Sequence, residues 1–195
     1  LQRDRSWLGA LGPPKLLIVF SATVLYSIGF GLFEVAVTAH AAAKGTPSAA
    51  GIGLALASLG SGLGAVVYGS RHWHAPLTRQ FRMATIAMSA GFVLLVPIDN
   101  LVLYSIACII AGAPMATVIA SQSLLVSRLA ARERLAESFT WATTCLLGGI
   151  SAGIAAGGAM AEVFAPHWLL VAAAGTTALA ALVVTLCLKS DAVMQ

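Results

Sequence analysis

Glu34 is the one carboxylate well inside an apolar stretch of this chain. An ionised acid at mid-membrane costs about 2.5–3.5 kcal/mol on insertion scales, so such a residue faces a cavity, finds a partner or holds a proton. That chemistry suits a group that takes up and releases protons on a transport path. Tyr26 lies about two helical turns before Glu34 and is expected roughly on the same face, with Thr23 nearby. The phenol could hydrogen-bond a substrate or a neighbouring helix. Thr117, Ser121 and Gln122 form a second polar group. Thr117 and Ser121 are four apart and share a face, so they either line a polar path or satisfy neighbouring backbone carbonyls. His40 sits nearer a span end and reads as an interfacial residue.

Other reactive types do not assemble into familiar constellations. Gly149-Ile-Ser151-Ala-Gly153 matches G-x-S-x-G, but a nucleophile elbow needs a strand-to-helix turn and triad partners. Here it falls midway along an apolar, glycine-ridged helix, with His167 as the nearest histidine in sequence. Cys108, Cys145 and Cys187 lie in apolar spans without a C-x-x-C pair and read as small packing residues. His72 and His74 lack further ligands for zinc, and no Walker or dinucleotide fingerprint is present. The expectation is no enzyme, no cofactor and no bound metal.

The elements that must position these residues follow from composition. Hydrophobic residues make up 59% of 195 and charged residues 9%, with a mean hydropathy of +0.92. A soluble domain carries about 25% charge, so a soluble enzyme, a nucleic-acid-binding module and a disordered tail are excluded. A hydrocarbon core about 30 Å thick takes roughly 20 apolar residues per helix. Six spans are expected, at 16–43, 49–69, 83–98, 101–127, 139–161 and 168–188, the third having the least secure bounds. The first apolar stretch is too long for a signal peptide.

The fold class expected is therefore all-α, a polytopic membrane protein of six transmembrane helices spanning 15–189. Residues 1–14 and 190–195 would be cytoplasmic. Arg3, Arg5, Lys15, Arg71, Arg79, Arg82, Arg128, Arg132, Arg134 and Lys189 all fall on one side if six helices alternate, and only Lys44 on the other. The positive-inside rule then makes that side cytoplasmic. Arg71, Arg128, Arg132, Arg134 and Glu137 are expected to form a cytoplasmic charge cluster, with Glu137 favoured near a helix N-terminus. Trp141 and Trp168 suit interfacial belts at opposite faces.

A three-helix pattern recurs. The second and fifth spans are glycine-rich, with Gly60 and Gly64 forming one close-packing ridge and Gly149, Gly153 and Gly157 a longer one. The first and fourth are polar and carry expected mid-helix interruptions, Gly29 with Gly31 and Gly112 with Pro114. The third and sixth are blander.

With these features in view, the chain from about Lys15 to Lys189 resembles the C-terminal six-helix half of a major facilitator superfamily transporter. GSGLGAVVYGSRHW (60–73) is similar to that family's glycine-rich helix 8 entering a basic loop. AARERLAESFTWATT (130–144), continuing into GGISAGIAAGGAMAE, resembles the helix 10–11 connection and helix 11 of bacterial drug and sugar efflux members. The loop departs from the family pattern: Ser70, Arg71, His72, Trp73 and His74 include no carboxylate. The resemblance implies alternating access between two halves, proton-coupled efflux of a small organic solute, and a bacterial plasma membrane. Partners would be the bilayer, a small-molecule substrate, protons, and a missing N-terminal half or a second copy. The chain begins with Leu1 and not Met, in keeping with a longer polypeptide. Rival expectations are a self-contained six-helix homodimer, an intramembrane serine protease using Ser151, and a non-transporting scaffold.

Overall fold

The computed structural model describes residues 13–188. Arg3, Arg5, Lys189, most of the segment 1–14 and the tail 190–195 lie outside the described residues. Six α-helices follow one another: α1 Pro14–Ala43, α2 Ala49–Gly69, α3 Leu77–Leu95, α4 Leu101–Leu129, α5 Leu135–Ala161 and α6 Pro166–Cys187. A 3₁₀ turn, Arg132–Arg134, leads into α5. No strand occurs among the described residues.

Local chemistry sets the ends. Pro14 and Pro166 sit at helix starts, where a missing N–H costs nothing. The Asn100 side chain accepts hydrogen bonds from the N–H groups of Val102 (3.0 Å) and Leu103 (3.1 Å), capping α4. Gly45, at φ 73°, turns the chain after α1 in a conformation that side chains resist.

Among the described residues, five helices are long and apolar enough to cross a membrane. α3 falls short because Arg79, Gln80 and Arg82 occupy its first two turns. It starts at Leu77, not at Met83 as the hydropathy suggested. The reason is a buried stripe of Leu77, Phe81, Ala84, Met88, Phe92 and Leu95 that begins before the charges end. The helix stops at Leu95; Val96 is still helical in φ and ψ, and Pro97 has no N–H to extend the hydrogen-bond ladder. At 19 residues, α3 is about 28 Å long, close to the hydrocarbon thickness.

α1 packs on α5 and α6, α2 on α4, and α3 on both α4 and α6. α1 and α5 run parallel, since Gly149 meets Val24 while Gly157 meets Val35 further along. His40 and Lys44 at the end of α1 share a cavity with Pro97 and Asp99 after α3, Tyr104 at the start of α4, and Pro166 at the start of α6. At the opposite end Tyr68, Arg71, Leu77, Gln80 and Arg128 meet around another cavity. The helices therefore alternate in direction, and α3 reaches both ends of the bundle. Lys15, Arg71, Arg79, Arg82, Arg128, Arg132 and Arg134 gather at one end, with Lys44 at the other.

The first and fourth helices are not interrupted. α1 is continuous through Gly29 and Gly31, and α4 through Gly112 and Pro114. Those glycines serve contact instead: a Cβ at Gly31 would collide with the Ile150 backbone, and one at Gly112 with the Ala57 backbone. The outer surface is apolar, with Val66, Val102, Ile110 and Leu186 each about 60–70% exposed. In water such a surface would promote aggregation; in lipid it is the matched solvent.

Candidate functional site

Tyr26 and Gln122 meet in the centre of the bundle. The Tyr26 hydroxyl donates to Gln122 Oε1 at 2.8 Å, linking α1 to α4 across 96 residues of sequence. Both are almost fully buried, at 2% and 3% exposure, and the Phe81 ring of α3 meets Tyr26 edge-on. An unpaired polar group in an apolar interior is costly, so the pair holds the helices in one register. Ser121 is fully buried and donates to the Thr117 and Val118 carbonyls at 2.7 and 3.1 Å. Of its two expected roles it takes the backbone-satisfying one. Thr117 is half-buried, and its carbonyl is one of those acceptors.

Glu34 lies elsewhere. It is half-buried and faces a cavity of about 190 Å³ lined by Phe30, Phe33, Leu54, Ala57, Ser58, Ser61 and Met115. Tyr26 is not among those residues. Eight residues at about 100° each advance 800°, which leaves the two side chains roughly 80° apart around the helix. The expected shared face is thus corrected: Tyr26 points to α3 and α4, Glu34 to the α1–α2–α4 groove. A carboxyl in a small, mostly apolar cavity, with Ser58 and Ser61 beside it, can hold a proton and meet a small polar solute.

The glycine ridges set the backbone spacing on either side of this centre. A Cβ at Gly60 or Gly64 would lie inside the contact distance of the Ile109 or Ala113 carbonyl of α4. At Gly149, Gly153 and Gly157 it would meet Val24, Ile28 and Val35 of α1. Gly62, Gly148 and Gly158 face open space instead. α2 and α5 therefore press one glycine face inward and leave the other uncovered.

Of the basic cluster, Arg71 and Arg128 come together, lining a cavity of about 490 Å³ with Trp73, His74 and Gln80. Arg132 and Arg134 form the turn before α5, and Glu137 lies in the first turn of that helix. Trp141 near the start of α5 and Trp168 near the start of α6 fall at opposite ends, both exposed. Ser151 is exposed on the continuous α5, with no elbow around it, while His167 packs near Trp168 at the start of α6.

Sequence reasoning missed Tyr104 and Asp99. The His40 and Tyr104 rings stack with centroids 4.1 Å apart and planes 10° apart. Lys44 pairs with Asp99 beside them. The available signal was charge: Lys44 and Asp99 occupy the two loops assigned to the same side.

No protein family's sequence profile matches the chain, and no curated protein is significantly similar to it.

Proposed function

We propose that the chain is the C-terminal six-helix half of a secondary transporter of the major facilitator type, exporting a small organic solute in exchange for protons. Its arginine-rich end and both termini would face the cytoplasm of a bacterium, by the positive-inside rule.

The observation that carries this reading is an exchange relation in the packing. Replacing each helix by the one three places away turns α1·α5 into α4·α2 and α1·α6 into α4·α3, and leaves α3·α6 unchanged. Because α1 and α4 run in opposite directions, the relation is that of two inverted three-helix repeats, the plan nested within each half of such transporters. The glycines repeat it: Gly31 of α1 meets the α5 backbone as Gly112 of α4 meets that of α2.

Two further features agree. α1 and α4, the helices that exchange, carry Tyr26, Glu34 and Gln122. α2 and α5 leave outward faces with Ser58, Gly62, Gly148 and Ala152 exposed, smooth enough for another bundle to approach closely. A six-helix N-terminal half would pack there, and alternating access would rock one half against the other.

The test uses the intact polypeptide in inverted membrane vesicles, with acridine orange reporting solute-induced loss of an imposed proton gradient. Glu34→Gln should abolish the coupled signal while leaving the protein inserted. An undiminished signal removes Glu34 from the proton path.

A further inference from the structure

The arginine-rich end of the bundle holds a cavity of about 490 Å³ where α2 ends, α3 begins and α4 ends. Much of its polar wall is satisfied from within. The Tyr68 hydroxyl donates to Gln80 Oε1 at 2.6 Å, and Gln80 Nε2 donates to the Ala75 carbonyl at 2.6 Å. Trp73 Nε1 donates to the Tyr68 carbonyl at 2.9 Å, and the Trp73 and Tyr68 ring centroids lie 5.6 Å apart. These contacts fix the α2–α3 loop and leave two guanidiniums over. Arg71 and Arg128 line the cavity, both are exposed, and neither side chain has a hydrogen bond or ion pair among the described residues.

Charge selects an anion. Between Ala49 and Arg132 the sequence holds a single carboxylate, Asp99, and it lies at the opposite end of the bundle, paired with Lys44. Glu133 and Glu137, beyond α4, are not part of the cavity wall. α3 starts on this wall at Pro76 and Leu77 with no side-chain cap, which adds about half a positive charge. The C-terminal ends of α2 and α4 bring about half a negative charge each. Two full guanidinium charges outweigh them.

Depth selects a lipid. Leu124 lines the same cavity one helical turn before Arg128 and is 44% exposed. Val66 and Val67, in the last turn of α2, are exposed as well. The cavity therefore sits where the apolar outer surface gives way to arginines, with Tyr68 and Trp73 at the boundary, which is the level of lipid headgroups. The planar arginine fork matches phosphate oxygens, and basic pockets between membrane helices suit anionic headgroups.

We infer that this cavity holds the phosphodiester of an anionic phospholipid between Arg71 and Arg128, with an acyl chain running past Leu124. The inference rests on membrane insertion and not on transport, since the cavity lies apart from Glu34 and occupancy is read at equilibrium.

Native mass spectrometry of the intact protein, released from detergent micelles, reads lipid binding directly. Dioleoyl-phosphatidylglycerol should bind about tenfold or more tightly than dioleoyl-phosphatidylcholine, whose ammonium offsets its phosphate. Arg71→Gln and Arg128→Gln should each weaken phosphatidylglycerol binding about fivefold or more. Arg79→Gln removes an exposed arginine of α3 that is off the cavity wall, and should bind as the wild type does. Excess inorganic phosphate should not displace the lipid, because it has no acyl chain to meet Leu124. Absence of a phosphatidylglycerol adduct overturns the inference, as does equal affinity for the two lipids or wild-type affinity in both cavity variants. An equal loss in Arg79→Gln would reduce the effect to general surface charge, and displacement by inorganic phosphate would assign the site to a soluble anion; either result also overturns it.

Discussion

Adding a single methyl group at Gly153 tests whether backbone contact sets the α1–α5 spacing. A Cβ there would lie about 3.0 Å or less from the O, C and Cα atoms of Ile28. These are backbone atoms, so no side chain can rotate aside and the helices must separate. Overpacking of this kind costs about 1–3 kcal/mol. Gly148 is on the same helix, yet a Cβ there meets nothing within 4 Å. Gly→Ala at such an open helical position gains about 0.5–1 kcal/mol from reduced unfolded-state freedom. Gly153→Ala and Gly148→Ala should therefore differ by about 1.5–4 kcal/mol and carry opposite signs. Gly60→Ala and Gly62→Ala make the equivalent pair on α2, where the obstacle is the Ile109 carbonyl. The assay is unfolding of the 195-residue chain in mild-detergent micelles, followed by circular dichroism. Equal shifts within each pair would refute the reasoning.

Two other outcomes follow from named contacts. A double-mutant cycle of Tyr26→Phe and Gln122→Leu should give a coupling of about 0.6 kcal/mol, the average for hydrogen bonds between membrane helices, and no more than about 1.7 kcal/mol; strictly additive effects would mean that the bond contributes nothing. Lys44, through its hydrogen bond and then its charge, holds the Asp99 carboxyl below its ordinary value of 3.8. A depressed carboxyl stabilises the fold above its unfolded pKa and loses that contribution as pH falls through the folded value. Lys44→Gln should lower the melting temperature slightly at neutral pH and low salt, and match the wild type in strong acid. The pair is exposed, so high salt should also erase the difference; a difference independent of pH and salt would assign Lys44 another role.

Hydropathy located five of the helices closely, because lipid-facing and buried positions are both apolar and the spans show as continuous runs. α2 begins at Ala49 and ends at Gly69 as expected. α3 was harder to place because its amphipathic stripe starts at Leu77 among arginines, where a hydropathy window sees charge. The inward glycine ridges were legible from four-residue spacing. Gly31 and Gly112 were misread as interruptions, since a glycine that admits a neighbouring backbone and one that loosens a helix look alike in sequence. The Tyr26–Gln122 bond and the His40–Tyr104 stack were not legible, because each joins residues on helices whose adjacency only the fold determines.

The transport reading rests on six alternating crossings, and α3 is the crossing that composition alone does not support. Single cysteines at Thr46, Asp99, His72 and Ala131, introduced after replacing Cys108, Cys145 and Cys187, can be labelled in intact cells with a membrane-impermeant maleimide. All four positions are exposed. Thr46→Cys and Asp99→Cys should label from outside, and His72→Cys and Ala131→Cys only after permeabilisation. If Asp99→Cys labels with His72→Cys instead of with Thr46→Cys, α3 does not cross and the inverted-repeat account is wrong.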